Sequence, residues 1–398
     1  MRLPLLAALS GLALVSCSPS ATSAPEDLKP WESVLDDEGL SAAIANIEAR
    51  PDAPEHQFLI GGLEFLSATE AIMQVRYQNS AQSLAILPGM RNELPGNPDG
   101  VFDPAFLETA MNEALVHLAR AETALAMAGD DFALEFPLTA IWFDVNQNGT
   151  KEVWETGLAV MNSLNAAPGE DFDGIIRFDT ADAHWLKAYV HVMAGMAELT
   201  LAADPTPAIR AVYEGREKMD AIGTIEGIFL SNDDIDSIAA VLLTLRGVPD
   251  QARTREAHRH FKEMISENKA FWASVMEETD NQAEWLPNPN QQSAFGIEVT
   301  ADLAASWQSV LEEIDALLNG DALVPYWRFN NGYNATEGVG VNLAKYLQDP
   351  GDLDIILWLH GTAATPYLER GPLADMAAWN QFTRMTRGDG LMFAVWFN

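Results

Sequence analysis

Along most of this chain apolar residues return at intervals of three and four, the spacing that lines one face of an α-helix. Ala42 to Arg50 reads as a short helix with Ile44 and Ile47 on one side, stopped by Pro51. His56 to Tyr77 reads as a longer one carrying Leu59, Leu63, Leu66, Met73 and Tyr77, with Gly61-Gly62 weakening its first turns. Asp103-Pro104, an N-cap followed by proline at the first helical position, opens a helix to Ala128 that Gly129 closes. Pro137 interrupts Ala133 to Phe143, which predicts a helix that is short or restarts there, and Val153 to Leu164 reads as another. Asp179 to Asp204 is the strongest helical stretch, with a cap expected at Thr180 or Asp182. Helices are expected again over Pro205 to Lys218, Asp233 to Arg246, Asp250 to Glu278 and Thr300 to Asn319.

Beyond Gly320 the texture changes. Leu323 to Phe329, Asp354 to His360 and Leu391 to Phe397 are short apolar or aromatic runs, extended segments among them, separated by glycine-rich turns and by helices over Val341 to Leu347 and Leu373 to Arg384. Trp327, Trp358, Tyr367, Trp379, Phe393, Trp396 and Phe397 are expected to pack together and dock this part on the core. The fold class is therefore mostly α, an irregular multi-helix bundle or helical-hairpin array, with short strands in a small C-terminal part. No repeat of fixed period is present.

The N-terminus points to export. Met1-Arg2 is a cationic start, and Leu3 to Val15 is apolar but too short to span a bilayer as a mature helix. Leu14-Val15-Ser16-Cys17 follows, and this tetrapeptide resembles the lipobox of bacterial lipoproteins. The resemblance implies cleavage before Cys17 and acylation of that cysteine, giving a membrane-anchored protein. Ser18 stands where that family carries an aspartate for inner-membrane retention, so an outer-membrane anchor facing the periplasm is implied. Residues 1–16 then form the signal peptide, 17–30 the lipidated cysteine and a Ser, Ala and Pro-rich tether, 31–320 the helical domain, and 321–398 the aromatic-rich part packed on the same core.

Composition narrows the chemistry. Cys17 is the only cysteine, which leaves the folded body without disulfide or thiol chemistry. A formal charge of -35 argues against binding nucleic acid or anionic headgroups through the body.

One stretch carries sharp chemistry. Asp144-Val145-Asn146-Gln147-Asn148-Gly149-Thr150-Lys151-Glu152-Val153-Trp154-Glu155 matches D-x-[DN]-x-[DN]-G-x5-E at every fixed position. Calcium takes roughly six to eight oxygens. This spacing offers them from Asp144, Asn146, Asn148, the carbonyl of Thr150, Glu152 directly or through water, and both oxygens of Glu155. Without an ion, the same residues would make a solvated Asn-Gly turn. The loop resembles an EF-hand over these twelve residues and their flanks. It departs at the eighth position, where Lys151 replaces the apolar residue that pairs a typical hand with its partner, and no second loop of the pattern follows. The resemblance therefore implies a lone site of modest affinity, suited to a calcium-rich compartment.

The histidines give weaker signals. His184, His191 and Glu198 recur every seven residues and share one stripe, but successive members lie about 10.5 Å apart along the axis, too far to share an ion without ligands from another helix. They read as structural contacts, as does His117. His258 and His260 point to different sides of their helix and make no metal pair. His360-Gly361-Thr362 with Arg328 and Arg370 is the one C-terminal group with conceivable catalytic content, and it lacks nucleophile-elbow, zinc and phosphate-loop motifs. The favoured function is a calcium-binding envelope lipoprotein acting as a binding or scaffold protein. The alternative is an exported metal-assisted hydrolase, with its site near the calcium loop or His360.

Overall fold

A computed structural model describes residues 28–81, 93–129, 132–163, 172–223, 232–281, 284–296, 298–329, 335–374, 376–386, 394 and 397. The signal peptide, Cys17, nearly all of the tether and most of the Leu391 to Phe397 run lie outside them. The protein is mostly α-helical with a few short antiparallel strands.

In chain order the first elements are α1 (Trp31–Glu38), α2 (Leu40–Glu48), α3 (Pro54–Gln78), α4 (Phe106–Leu125), β1 (Ala133–Pro137), α5 (Gly157–Ser163) and β2 (Ile175–Asp179). There follow α6 (Thr180–Ala202), α7 (Thr206–Ile222), α8 (Asn232–Thr244), α9 (Gln251–Val275) and α10 (Ala301–Asn319). The last part contains β3 (Val324–Pro325), β4 (Glu337–Val341), α11 (Leu343–Gln348), α12 (Ile355–His360), β5 (Leu368–Pro372) and α13 (Ala377–Met385).

The helices α6, α9 and α10 each start where a side chain satisfies backbone end groups. The Asp250 carboxylate accepts from the Arg253 N–H, and the Thr300 hydroxyl from that of Leu303. Gly320 closes α10 in the left-handed conformation. At α6 the cap is Asp179 rather than Thr180 or Asp182, with Asp182 returning the bond to the Asp179 N–H as a capping box.

One expectation about local structure changes. Ala133 to Pro137 is a strand, not a helix, because Leu134 and Phe136 turn inward while Ala133 and Glu135 face out, a period of two. It pairs antiparallel with β2, Ala133 opposite Asp179 and Pro137 opposite Ile175. Of the C-terminal runs among which extended segments are expected, Leu323 to Phe329 contains β3, while Asp354 to His360 is helical, because the Asp354 carboxylate caps the N–H groups of Ile356 and Leu357. The second sheet, in the order β3-β4-β5, is antiparallel and belongs to the C-terminal part.

The largest core cluster joins α3, α4, α6, α9, α10 and α13. It includes Leu347, Phe382 and Phe397, so the C-terminal part is built onto the same core. The aromatic residues there form separate groups: Trp358 stacks on Tyr367 at 6.2 Å, whereas Phe397 sits among Trp272, Trp307 and Phe382. Trp327 is exposed. A second cluster joins α1, α2, another part of α3 including Leu59, Leu63 and Met73, the strands β1 and β2, and residues 138–145. It forms the floor on which the 144–155 loop stands. α3 is long and apolar enough to cross a membrane, but 67% of its apolar window is buried inside this protein.

Candidate metal centre

The 144–155 loop closes on itself through bonds between its own residues. Gln147 and Gly149 both take positive φ, 58° and 69°, which winds the backbone tightly enough for its N–H groups to point inward. The Asp144 carboxylate accepts from the Gly149 N–H at 3.1 Å, Asn146 Oδ1 from the Asn148 N–H at 3.0 Å, and Asn148 Oδ1 from the Thr150 N–H at 2.7 Å. Glu155 Oε1 accepts from Val145 and Asn146, and its Oε2 from the Glu152 N–H at 3.2 Å. The side-chain amides of Asn146 and Asn148 donate to the two oxygens of Glu152, at 2.6 and 3.1 Å. Asn146, Asn148, Glu152 and Glu155 are thus linked in one hydrogen-bonded network, to which Thr150 adds its N–H, while the Asp144 carboxylate ties to Gly149 in the same turn.

The two ends of the loop are held by a short antiparallel ladder rather than by a pair of helices. Trp142 bridges Thr156, the Phe143 N–H donates to the Glu155 carbonyl at 2.9 Å, and the Gly157 N–H to the Ile141 carbonyl at 2.8 Å. The incoming chain is β1 followed by a single 3-10 turn at Leu138–Ala140. The outgoing chain is a 3-10 turn at Val153–Glu155 and then α5, with Leu164 outside the described residues. These flanks are not the helix pair that an EF-hand resemblance implies. Trp142 anchors the ladder, its indole N–H donating to the Leu35 carbonyl at 3.0 Å.

Sequence reasoning missed the second support. Glu70, Gln74 and Gln78 lie four apart on α3 and meet the loop from below. Glu70 Oε1 accepts from the Asp144 N–H at 2.7 Å. The Gln74 amide donates to the Asp144 carbonyl at 2.9 Å and accepts from Gln147 at 3.1 Å, while Gln78 donates to Gln147 at 2.8 Å. The four-residue spacing of Glu70, Gln74 and Gln78 was the available signal. Lys151 forms an ion pair with Asp36 of α1, so the position that usually meets a partner hand is used within the chain.

Glu155 is fully buried. Burial, and then the hydrogen-bonded carboxyl of Glu152, push its carboxyl up to about 7. Burial likewise pushes Glu70 up to about 7. Two acids have been brought together at the closing turn of the loop. Among the described residues no lysine or arginine forms an ion pair with either. An oxygen-rich donor set with clustered carboxylates suits a hard divalent cation.

The histidine stripe of α6 meets α9 running antiparallel. His184 pairs with Glu267 at 2.6 Å, His191 with His260 at 2.9 Å, and Glu198 with Arg253 at 2.9 Å. His258 faces elsewhere, in contact with the Leu318 carbonyl and Gln348. His117 joins buried Glu64 at 2.6 Å. Burial lowers the His191 imidazole, and burial together with the Arg259 charge lowers His260 to about 3, so both rings are neutral.

His360, with its ring at 2.7 Å from Thr362 Oγ1, is exposed, as is Arg370. Arg328 donates to the His360 carbonyl and lies over Trp327. One cleft, of about 670 Å³, lies elsewhere, between α4, α7 and the start of α9. Comparison with known protein families, with characterised proteins and with solved structures finds no match.

Proposed function

We propose that this chain is a calcium-binding lipoprotein of the bacterial cell envelope, anchored through acylated Cys17, in which the ion at Asp144 to Glu155 stabilises a binding or scaffold surface. The observation that carries the reading is the set of hydrogen bonds holding five side chains of the motif around one turn, with the Glu152 and Glu155 carboxylates side by side. Asp144, Asn146, Asn148, the Thr150 carbonyl, Glu152 and Glu155 would supply the oxygens. A divalent cation neutralises the repulsion that the two acids otherwise suffer when both ionise. Because the loop is buttressed by α1 and α3, its occupancy feeds directly into the stability of the second core cluster.

With three carboxylates in the set, affinity falls in the sub-millimolar to millimolar range typical of extracellular modules. Calorimetric titration of the chelator-treated protein with calcium tests this. One ion per chain is expected, with a gain of about 2.7 kcal/mol when free calcium reaches a hundred times its dissociation constant. Asp144→Ala and Glu155→Gln both abolish that gain. Absence of heat together with an unchanged melting curve at millimolar calcium refutes the reading. Incorporation of labelled fatty acid, lost in Cys17→Ala, tests the anchor independently.

A further inference from the structure

Of the three rungs that join α6 to α9, the outer two pair opposite charge types, histidine with glutamate and glutamate with arginine. The middle rung sets two imidazoles against each other, both about 6% exposed, Nδ1 to Nδ1. A third helix reaches the same point, for a carboxylate oxygen of Glu122 on α4 lies within 4.8 Å of a ring nitrogen of each histidine, and those nitrogens within the same distance of one another. The seven-residue spacing on α6 excludes an ion shared along that helix, and α4 and α9 supply the ligands it lacks.

The proton positions follow from Arg259. Its guanidinium donates to Glu122 Oε1 at 3.3 Å and lies 2.9 Å from His260 Nε2. Arginine has no acceptor, so His260 Nε2 accepts and its ring proton sits on Nδ1, aimed at the lone pair of His191 Nδ1. The guanidinium thus bridges the carboxylate and the imidazole at the rim, where a positive charge is already accommodated.

We propose that Glu122, His191 and His260 form a binding site for a divalent transition metal of the zinc class, distinct from the calcium loop, over which the Arg259 guanidinium is a displaceable cation. Two neutral imidazoles and one carboxylate are the nitrogen and oxygen donors that zinc accepts, whereas calcium prefers oxygen alone. Four-coordinate zinc, with bonds of about 2.0–2.1 Å, separates its ligand atoms by about 3.3 Å. Ligation through both Nδ1 atoms, now 2.9 Å apart, takes a small rotation of either ring and the return of the His260 proton to Nε2, which the displaced Arg259 leaves free. Three protein ligands leave a fourth position open to water. The metal would tie α4, α6 and α9 together inside the main core cluster.

The test is a zinc titration of the full chain against a chromophoric zinc indicator, with saturating calcium present throughout so that the loop is filled. Cobalt absorption gives the coordination geometry. One zinc per chain is expected, with a cobalt spectrum of low-coordinate nitrogen and oxygen ligation. Glu122→Gln is expected to weaken binding by at least about tenfold, and Arg259→Ala to strengthen it by removing the competing cation. Asp144→Ala should leave zinc binding unchanged, which separates this site from the calcium reading. Glu122 is only partly buried on α4, so its variant remains informative should His191 or His260 variants fail to fold. Absence of zinc binding to the parent protein, or binding that Glu122→Gln leaves unaltered, overturns the proposal.

Discussion

Adjacent glycines on α3 should respond to the same substitution with opposite signs. A Cβ placed on Gly61 would lie 2.5 Å from Cγ and 2.7 Å from Cδ2 of Leu125 on α4. Cγ is the branch point of a fully buried leucine, so no methyl rotation clears it, and either the rotamer or the helix spacing must change. Overpacking of this kind costs about 1–3 kcal/mol, and the contact distance puts Gly61→Ala toward the top of that range. Replacing a helical glycine by alanine returns about 1 kcal/mol, leaving a net loss of about 1–2 kcal/mol. At Gly62 the new methyl meets only Leu186 Cδ2 at 3.7 Å, an ordinary contact, so the helix gain of up to about 1 kcal/mol stands. The two neighbours should therefore differ by about 2–3 kcal/mol in urea unfolding followed by far-ultraviolet circular dichroism at saturating calcium. Midpoints that move in the same direction, or Gly61→Ala as stable as Gly62→Ala, would refute the close α3–α4 approach. The result bears on the candidate site, because the same helix carries Glu70 and Gln74 beneath the 144–155 loop.

Gln74→Ala removes two hydrogen bonds that preorganise the loop and should weaken calcium binding roughly tenfold by calorimetry; unchanged affinity would mean that the loop organises itself without α3. A pH effect arises at the start of α6, where burial pushes Asp182 well up and Asp179 up, and pushes Glu278 up to about 7. Folded values raised above unfolded ones give stability that is fully present below the unfolded carboxyl range and lost as pH rises through the folded values. In chelator, the denaturation midpoint should therefore fall between about pH 5 and about pH 8, and Glu278→Gln should flatten a slope of up to about 1.4 kcal/mol per pH unit for that group. A midpoint that rises over this interval would contradict the assignment.

Much of the helical content was legible because its causes are short-ranged. Periodicity, the caps at Asp250 and Thr300 and the stop at Gly320 act within a turn or two of chain. The turns of the 144–155 loop were legible for the same reason, since the hydrogen bonds that wind it join residues of the loop itself. Tertiary structure decided what those local units meet. β1 became a strand because β2, beyond the loop, offered it a partner. Lys151 found Asp36, and the loop found Gln74, by folding against helices distant in sequence. On α6 the sequence placed His191 on a polar stripe, but its neighbours Glu122 and His260 became visible only once three helices packed together, because which rung faces which is set by the fit of apolar side chains across the whole interface.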